Sequence, residues 1–312
     1  MSQKLAITGG AGFIGSNLAE ALAADNEVIA IDDFSTGKLE NLAGINVKLI
    51  RGSVTDLALL RSAFEDVDCV FHLAAIASVQ KSVEDPLKTN EVNIGGTLNA
   101  LVAARDAGVK KFVFASSAAV YGDSPALPKK EDMVPDPKSP YAITKLAGEH
   151  YCRVFQELYG LDTVALRFFN VFGPKQDPSS EYSGVISRFI SAVLKGEPPV
   201  IYGDGEQTRD FVFVKDVVRA CKIAAAGEAT GVFNVARGES TSLNQLVMIL
   251  GKITGRDVRP KYVVARAGDI MHSLADVDKL GYRPEHTVEG GLRETVEWFA
   301  ASDLFSQQIK FI

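Results

Sequence analysis

The chain has little of what would tie it to an oxidising compartment, a membrane or a nucleic acid. Its 3 cysteines, Cys69, Cys152 and Cys221, are far apart and form no C-x-x-C pair. An odd, dispersed set indicates neither a disulfide framework nor a zinc site and reads as buried thiols. The 4 histidines, His72, His150, His272 and His286, are equally scattered, so no metal is expected. No apolar run approaches the roughly 20 residues of a membrane span, and Met1-Ser2-Gln3-Lys4 carry no apolar signal region. A cytoplasmic location is the expectation. The net charge of -6 offers no basic surface to a phosphate backbone, so neither nucleic acid nor membrane is an expected partner.

What the chain does have is a large apolar fraction, 46% of 312 residues, enough to bury a core spread over one or two domains. Near its start, Leu5-Ala6-Ile7 runs into Thr8-Gly9-Gly10-Ala11-Gly12-Phe13-Ile14-Gly15, and Ile14, Leu18, Ala21 and Leu22 then repeat at helical spacing. The order is strand, glycine turn, helix. Glycines at 9, 12 and 15 let the backbone turn sharply and let a pyrophosphate reach main-chain N–H groups at the helix N-terminus. Alone, such a triplet equally describes a tight turn packed on its helix. The next strand-like run, Glu27 to Ile31, ends in Asp32 and Asp33, close to the ~20-residue offset at which an acid meets the adenosine ribose. An acid there favours NAD over NADP.

The alternation continues. Val47 to Ile50 reads as a strand, and Asp56 can cap a helix through Leu60 and Phe64. Ser53 lies where an adenine edge would rest. Cys69 to Leu73 is a strand followed by the small residues Ala74-Ala75-Ile76-Ala77-Ser78, and a long helical segment spans about Pro86 to Ala107. Lys111 to Ala115 forms the next strand and ends in Ser116-Ser117. Alternating strands and helices imply a parallel sheet, whose ligands sit at the carboxyl ends of its strands, so Ser117 is placed beside a cofactor. After a proline-rich loop, Tyr141-Ala142-Ile143-Thr144-Lys145 opens a helix to about Tyr159. Tyr141 and Lys145 share a helix face, and of 8 tyrosines this is the only one with lysine at that offset. A nearby ammonium favours phenolate and is expected to pull the tyrosine pKa down from ~10 toward neutrality.

Asp162 to Arg167 is a further strand, and from Phe168-Phe169-Asn170-Val171-Phe172-Gly173-Pro174 onward the repeat breaks down. A smaller second unit is expected there, with helices around Val185 to Lys195 and Leu243 to Thr254. The runs Phe211 to Val214 and Val232 to Val235 could return to the main sheet. The expected domains are therefore 1–170 plus about 211–236, and 171–210 with 237–312.

With these residues in view, the chain resembles the extended short-chain dehydrogenases/reductases, and within them the nucleotide-sugar epimerases typified by UDP-galactose 4-epimerase. The likeness rests on the glycine loop, His72-Leu-Ala-Ala75, Ser116-Ser-Ala-Ala-Val-Tyr-Gly122, Tyr141-x-x-x-Lys145, Arg167 to Pro174, Thr208-Arg-Asp-Phe-Val212 and Arg266-x-Gly-Asp269. It implies an α/β fold, a doubly wound parallel (Rossmann) sheet with a smaller mixed α/β substrate domain. It implies Tyr141 as base, Ser117 as its hydrogen-bonding companion and Lys145 as the group on the nicotinamide ribose. The NAD residues implied are Gly9, Gly12, Phe13, Ile14, Asp32, Asp33, Ser53, Val54, Leu73, Ala74, Ala75, Asn90, Tyr141, Lys145, Phe168 and Val171. The UDP-sugar residues implied are Ala77, Ser78, Ser117, Asn170, Arg209, Arg266, Asp269 and Ser273. Ser53 and Met271 depart from the pattern, where relatives often carry Asp and Arg.

The implied reaction is 4-epimerisation of a UDP-sugar through a 4-keto intermediate. UDP-glucuronate epimerases and nucleotide-sugar dehydratases or decarboxylases share the loop and the Tyr/Lys pair. Elimination needs acids just after the catalytic serine, and this chain has Ala118 and Ala119 there. A non-catalytic NAD-binding protein would not need Ser117, Tyr141 and Lys145 together. The resemblance implies that Ser273 lines the pocket beside the sugar's C2 substituent, with Ala77 and Ser78 on the other wall, and these small residues would leave room for an N-acetyl group there. Surplus apolar residues on the helices around Ile94 to Ala104 and Tyr141 to Tyr159 point to a homodimer.

Overall fold

The computed structural model describes residues 2–177, 184–265 and 270–302. The first half alternates β1 (Lys4–Thr8), α1 (Phe13–Leu22), β2 (Glu27–Asp32), β3 (Lys48–Arg51), α2 (Leu57–Ala63) and β4 (Cys69–His72). It continues with α3 (Val79–Glu84), α4 (Pro86–Asn90), α5 (Gly96–Asp106), β5 (Lys111–Ser117), α6 (Pro140–Tyr159) and β6 (Asp162–Phe168). The rest comprises β7 (Asn170–Phe172), α7 (Val185–Lys195), β8 (Val200–Tyr202), β9 (Thr208–Phe213) and α8 (Val214–Ala226). It ends with β10 (Gly231–Val235), β11 (Ser240–Ser242), α9 (Leu243–Thr254), β12 (Lys261–Val263) and α10 (Val288–Ala301).

Seven strands form one parallel sheet in the order β10-β6-β5-β4-β1-β2-β3. Its central strands are apolar on both sides because helices cover both faces. Leu18 and Leu22 of α1 pack with Val217 and Cys221 of α8 on one face. Leu60, Leu101, Cys152 and Phe155 pack on the other. All three cysteines are buried free thiols. The chain order reverses between β1 and β4, which opens a crevice at the carboxyl edge.

The smaller half holds the three-stranded sheet β11-β9-β7 and the pair β12-β8 around Phe172, Phe189, Phe211, Leu246, Leu292 and Phe299. Of the two runs expected to rejoin the main sheet, Val232 to Val235 does so beside β6. The run at 211–213 instead lies in the small sheet, paired with β7, while residues 208–210 just before it pair with β11. Its alternation explains the ambiguity: Phe211 and Phe213 face the small half's core while Val212 faces the main one. Among the described residues no helix is long and apolar enough to cross a membrane.

Candidate active site

The glycine loop closes tightly on its surroundings. Gly9 has φ +70, and a Cβ on it would lie 2.8 Å from the Ala74 nitrogen, so only glycine lets β1 and the end of β4 approach here. Gly12 caps α1 with no side-chain acceptor, leaving first-turn N–H groups suited to an anion. Phe13 and Ile14 begin α1 and pack toward the small half's core. Asp32 is buried at the end of β2, its carboxylate accepting from Ala11 N at 2.9 Å and Phe34 N at 2.8 Å. Burial raises its pKa, and those N–H bonds oppose the rise. Asp33, by contrast, is exposed and accepts from Ser35 N in its own turn. Ser53 accepts from Thr55, and Val54 is buried against Gly96.

Across the crevice, Leu73 N donates to the Thr8 carbonyl and Ala74 N to the Thr8 hydroxyl. His72 is buried with Nδ1 2.8 Å from Thr8 Oγ1 and Nε2 3.0 Å from Thr97 Oγ1. Burial, then the Lys145 charge, holds its pKa down to about 3, so the ring is neutral. Ala75 is half-buried beside it, and Ala77 is exposed. The Ser78 hydroxyl is engaged by Lys81 N as the cap of α3.

The expected Asn90 is exposed at the end of α4. The asparagine tied into the site is Asn93, which the sequence reading missed. Its Oδ1 accepts from Ile76 N at 2.8 Å, and its Nδ2 donates to Ile76 O and Thr144 Oγ1. A π turn at Glu91–Gly95 joins α4 to α5 and contains the buried Asn93. A polar residue among helical apolar neighbours was the available signal.

Ser117, Tyr141 and Lys145 converge at the end of β5. Ser139 caps α6 by accepting from Ala142 N, and Pro140 sets the first turn, which fixes where Tyr141 starts. Tyr141 is buried and its backbone N–H donates to Ser82 Oγ. Lys145 Nζ donates to the Ala115 carbonyl at 2.7 Å and lies 5.8 Å from the Tyr141 ring centroid. Burial raises the Tyr141 pKa, with the Ser117 side chain opposing it by a hydrogen bond. Burial lowers the Lys145 pKa to about 8. This corrects the expected depression of the tyrosine by the lysine: the ammonium is held on a carbonyl, and desolvation dominates both groups.

On the substrate side, Phe168 ends β6, while Asn170 (exposed) and Val171 open β7 beside β9. Arg209 is on β9 and donates to the Thr208 carbonyl. Ser273 N donates to that same carbonyl, which sets Ser273 next to Arg209. Arg266 and Asp269 lie outside the described residues. Ala118 and Ala119 form a short turn directly after Ser117, so no carboxylate follows the serine.

The model of the NAD dependent epimerase/dehydratase family matches residues 5–236. A solved UDP-N-acetylglucosamine 4-epimerase from Methanobrevibacter ruminantium M1, in complex with UDP-N-acetylmuramic acid, is 47% identical with a TM-score of 0.94, covering 96% of this chain and 99% of that one. A UDP-glucose 4-epimerase from Thermotoga maritima with UDP-glucose is 41% identical, TM-score 0.91, covering 95% and 98%. A UDP-glucuronate 4-epimerase from Thermodesulfobacterium geofontis is 35% identical over 94% of both chains.

Proposed function

Because the chain belongs to the NAD dependent epimerase/dehydratase family, we propose that it is a UDP-sugar 4-epimerase acting on UDP-N-acetylglucosamine/UDP-N-acetylgalactosamine and on UDP-glucose/UDP-galactose. The observation that carries this reading is the meeting of Ser117, Tyr141 and Lys145 at the end of β5, with alanines where elimination would need acids. The close-packed glycine loop and the uncapped N-terminus of α1 fit a dinucleotide pyrophosphate, with Asp32 toward the adenosine ribose and Lys145 toward the nicotinamide ribose. NAD, held by the glycine loop, Asp32 and Lys145, would supply reversible hydride chemistry at the sugar C4.

The chain's own work is proton transfer and orientation. Tyr141 takes the C4 hydroxyl proton, and Ser117 aligns that hydroxyl. Burial keeps the proton on Tyr141 until further positive charge comes beside the phenol, so the base appears only in the loaded site. Arg209 and Asn170 hold the diphosphate, and Ser273 beside Arg209 walls the sugar's C2 side.

The proposed domains are 1–170 plus about 211–236 for NAD and 171–210 with 237–312 for the UDP-sugar, and the pairing of 211–213 with β7 supports assigning that stretch to the second. A homodimer through α5 and α6 is part of the proposal, supported by Ile143 and Leu158, which are 53% and 69% exposed on α6. A monomer in light scattering at micromolar concentration removes it.

The deciding experiment incubates the protein with UDP-glucose, UDP-N-acetylglucosamine and UDP-glucuronate and resolves the products. Conversion of each of the first two to its own 4-epimer, UDP-galactose and UDP-N-acetylgalactosamine, is expected. Ser273→Tyr should abolish turnover of the acetylated pair and spare plain hexoses, because a missing contact costs a smaller ligand only ~1–3 kcal/mol whereas a bulky wall excludes the larger one. Product from UDP-glucuronate alone, or equal treatment of both pairs by the variant, overturns the reading.

A further inference from the structure

Behind the catalytic groups lies a polar row that the reaction does not use directly. Ser116 on β5, Arg167 on β6 and Asn234 on β10 are consecutive register partners across the sheet. Glu149 of α6 sits over them: its Oε1 accepts from Ser116 Oγ and from Arg167 Nε at 2.9 Å, and its Oε2 from Arg167 Nη2 at 2.8 Å. The two ionic side chains are 3% and 4% exposed. The Arg167 guanidinium lies 4.6 Å from the Tyr121 ring centroid, and Tyr121 OH donates to Asn234 Oδ1 at 2.6 Å. Asn234 Nδ2 donates in turn to the carbonyl of Lys129 and to that of Asp276, the latter in the segment that begins at Ser273.

We propose that Glu149 is a positioning residue for the reaction: its link to Ser116 and Arg167 fixes the depth of α6 against β5 and thereby the approach of Tyr141 to Ser117. Ser116 immediately precedes Ser117, and Glu149 follows Lys145 by one helical turn and Tyr141 by two, about 12 Å of rigid helix. Any slide of α6 along the sheet therefore carries both Tyr141 and Lys145 with it. Stability alone does not account for the pair, since well-packed apolar residues commonly match or exceed a buried ion pair. What the bidentate fork adds is one fixed geometry between a helix and two strands. The consequence for rate rests on the proposed epimerase reading; the geometry does not.

The test is the pair of variants Ser116→Ala and the double Glu149→Leu/Arg167→Met, compared with wild type below their melting temperatures. The double variant should stay folded and lose kcat by about 10²-fold, the cost of a misplacement of about 1 Å, with KM unchanged. Ser116→Ala should show a smaller loss of kcat in the same sense. Without any sugar, the ionisation of Tyr141, read as the tyrosinate absorbance that Tyr141→Phe removes, should move to higher pH in both, because the Ser117 hydrogen bond is lost. A folded double variant with wild-type kcat, or an unmoved Tyr141 titration in both, overturns the proposal. A wild type that turns over no UDP-sugar strikes the functional reading instead, and the titration still decides this one.

Discussion

Lys145 on α6 and Arg167 on β6 are both buried cations, yet they are treated in opposite ways. Arg167 is gripped by Glu149: burial works against its charge, but the carboxylate's hydrogen bonds and charge outweigh that and raise its pKa. Lys145 has no carboxylate partner among the described residues; it leans on the Ala115 carbonyl, and burial brings its pKa down to about 8. A paired cation fixes geometry and has no charge left to offer. An unpaired one keeps its field for whatever enters the crevice, at a cost in stability.

The contrast is broken most sharply on the unpaired side. Tyr141→Phe removes the hydroxyl that Lys145 and Ser117 flank, and turnover should fall about 10²–10⁴-fold, the worth of a positioned acid/base group. NAD binding by titration and the melting temperature should stay near wild type. A rate close to wild type would place the base elsewhere.

On the paired side the expected loss is in stability. Glu149→Leu alone strands the Arg167 guanidinium in a dry site, and breaking such a pair costs about 3–5 kcal/mol. Urea unfolding with an unchanged slope should show it. A loss below about 1 kcal/mol would mean that the arginine finds water or another acceptor, and the contrast with Lys145 would dissolve.

How far this was legible in the sequence differs between the same two regions. The glycine loop, the acid after β2 and the Tyr141/Lys145 spacing could be read because each is local: a turn, an offset, a helix face. The start of α6 was marked by its prolines. Burial is not local, so the spacing of Tyr141 and Lys145 showed that they are neighbours but not that desolvation governs both. The Glu149–Arg167 link joins a helix to a strand and left no periodic trace. Asn93 keeps regular helical spacing with the buried Thr89 and Thr97, and it was missed because polar side chains on that face add nothing to an apolar pattern. The membership of β9 was hidden because both of its faces are apolar, each packed on a different core.

The smallest effect is the most discriminating. Lys145 titrates near 8 in the folded chain against 10.5 when unperturbed, so between those values the unfolded chain holds a proton that the folded chain has released. Folding stability from this group therefore rises with pH across that window, and below it the penalty for burying the charge is fully present. At ~1.4 kcal/mol per unit the penalty is about 3 kcal/mol. Lys145→Met removes it but leaves the Ala115 carbonyl without its donor, which costs about 1–3 kcal/mol. The two nearly cancel, so at about pH 7 the variant should match wild type within about 2 kcal/mol while losing turnover. As the pH is raised from 8 toward 10.5, wild type should gain on the variant, since only wild type is relieved of a charge. Parallel urea titrations at the two ends of the window measure this. A difference that stays constant would mean that Lys145 keeps its proton throughout, held by an acidic partner as Arg167 is, and the distinction between the two cations would fail at its root.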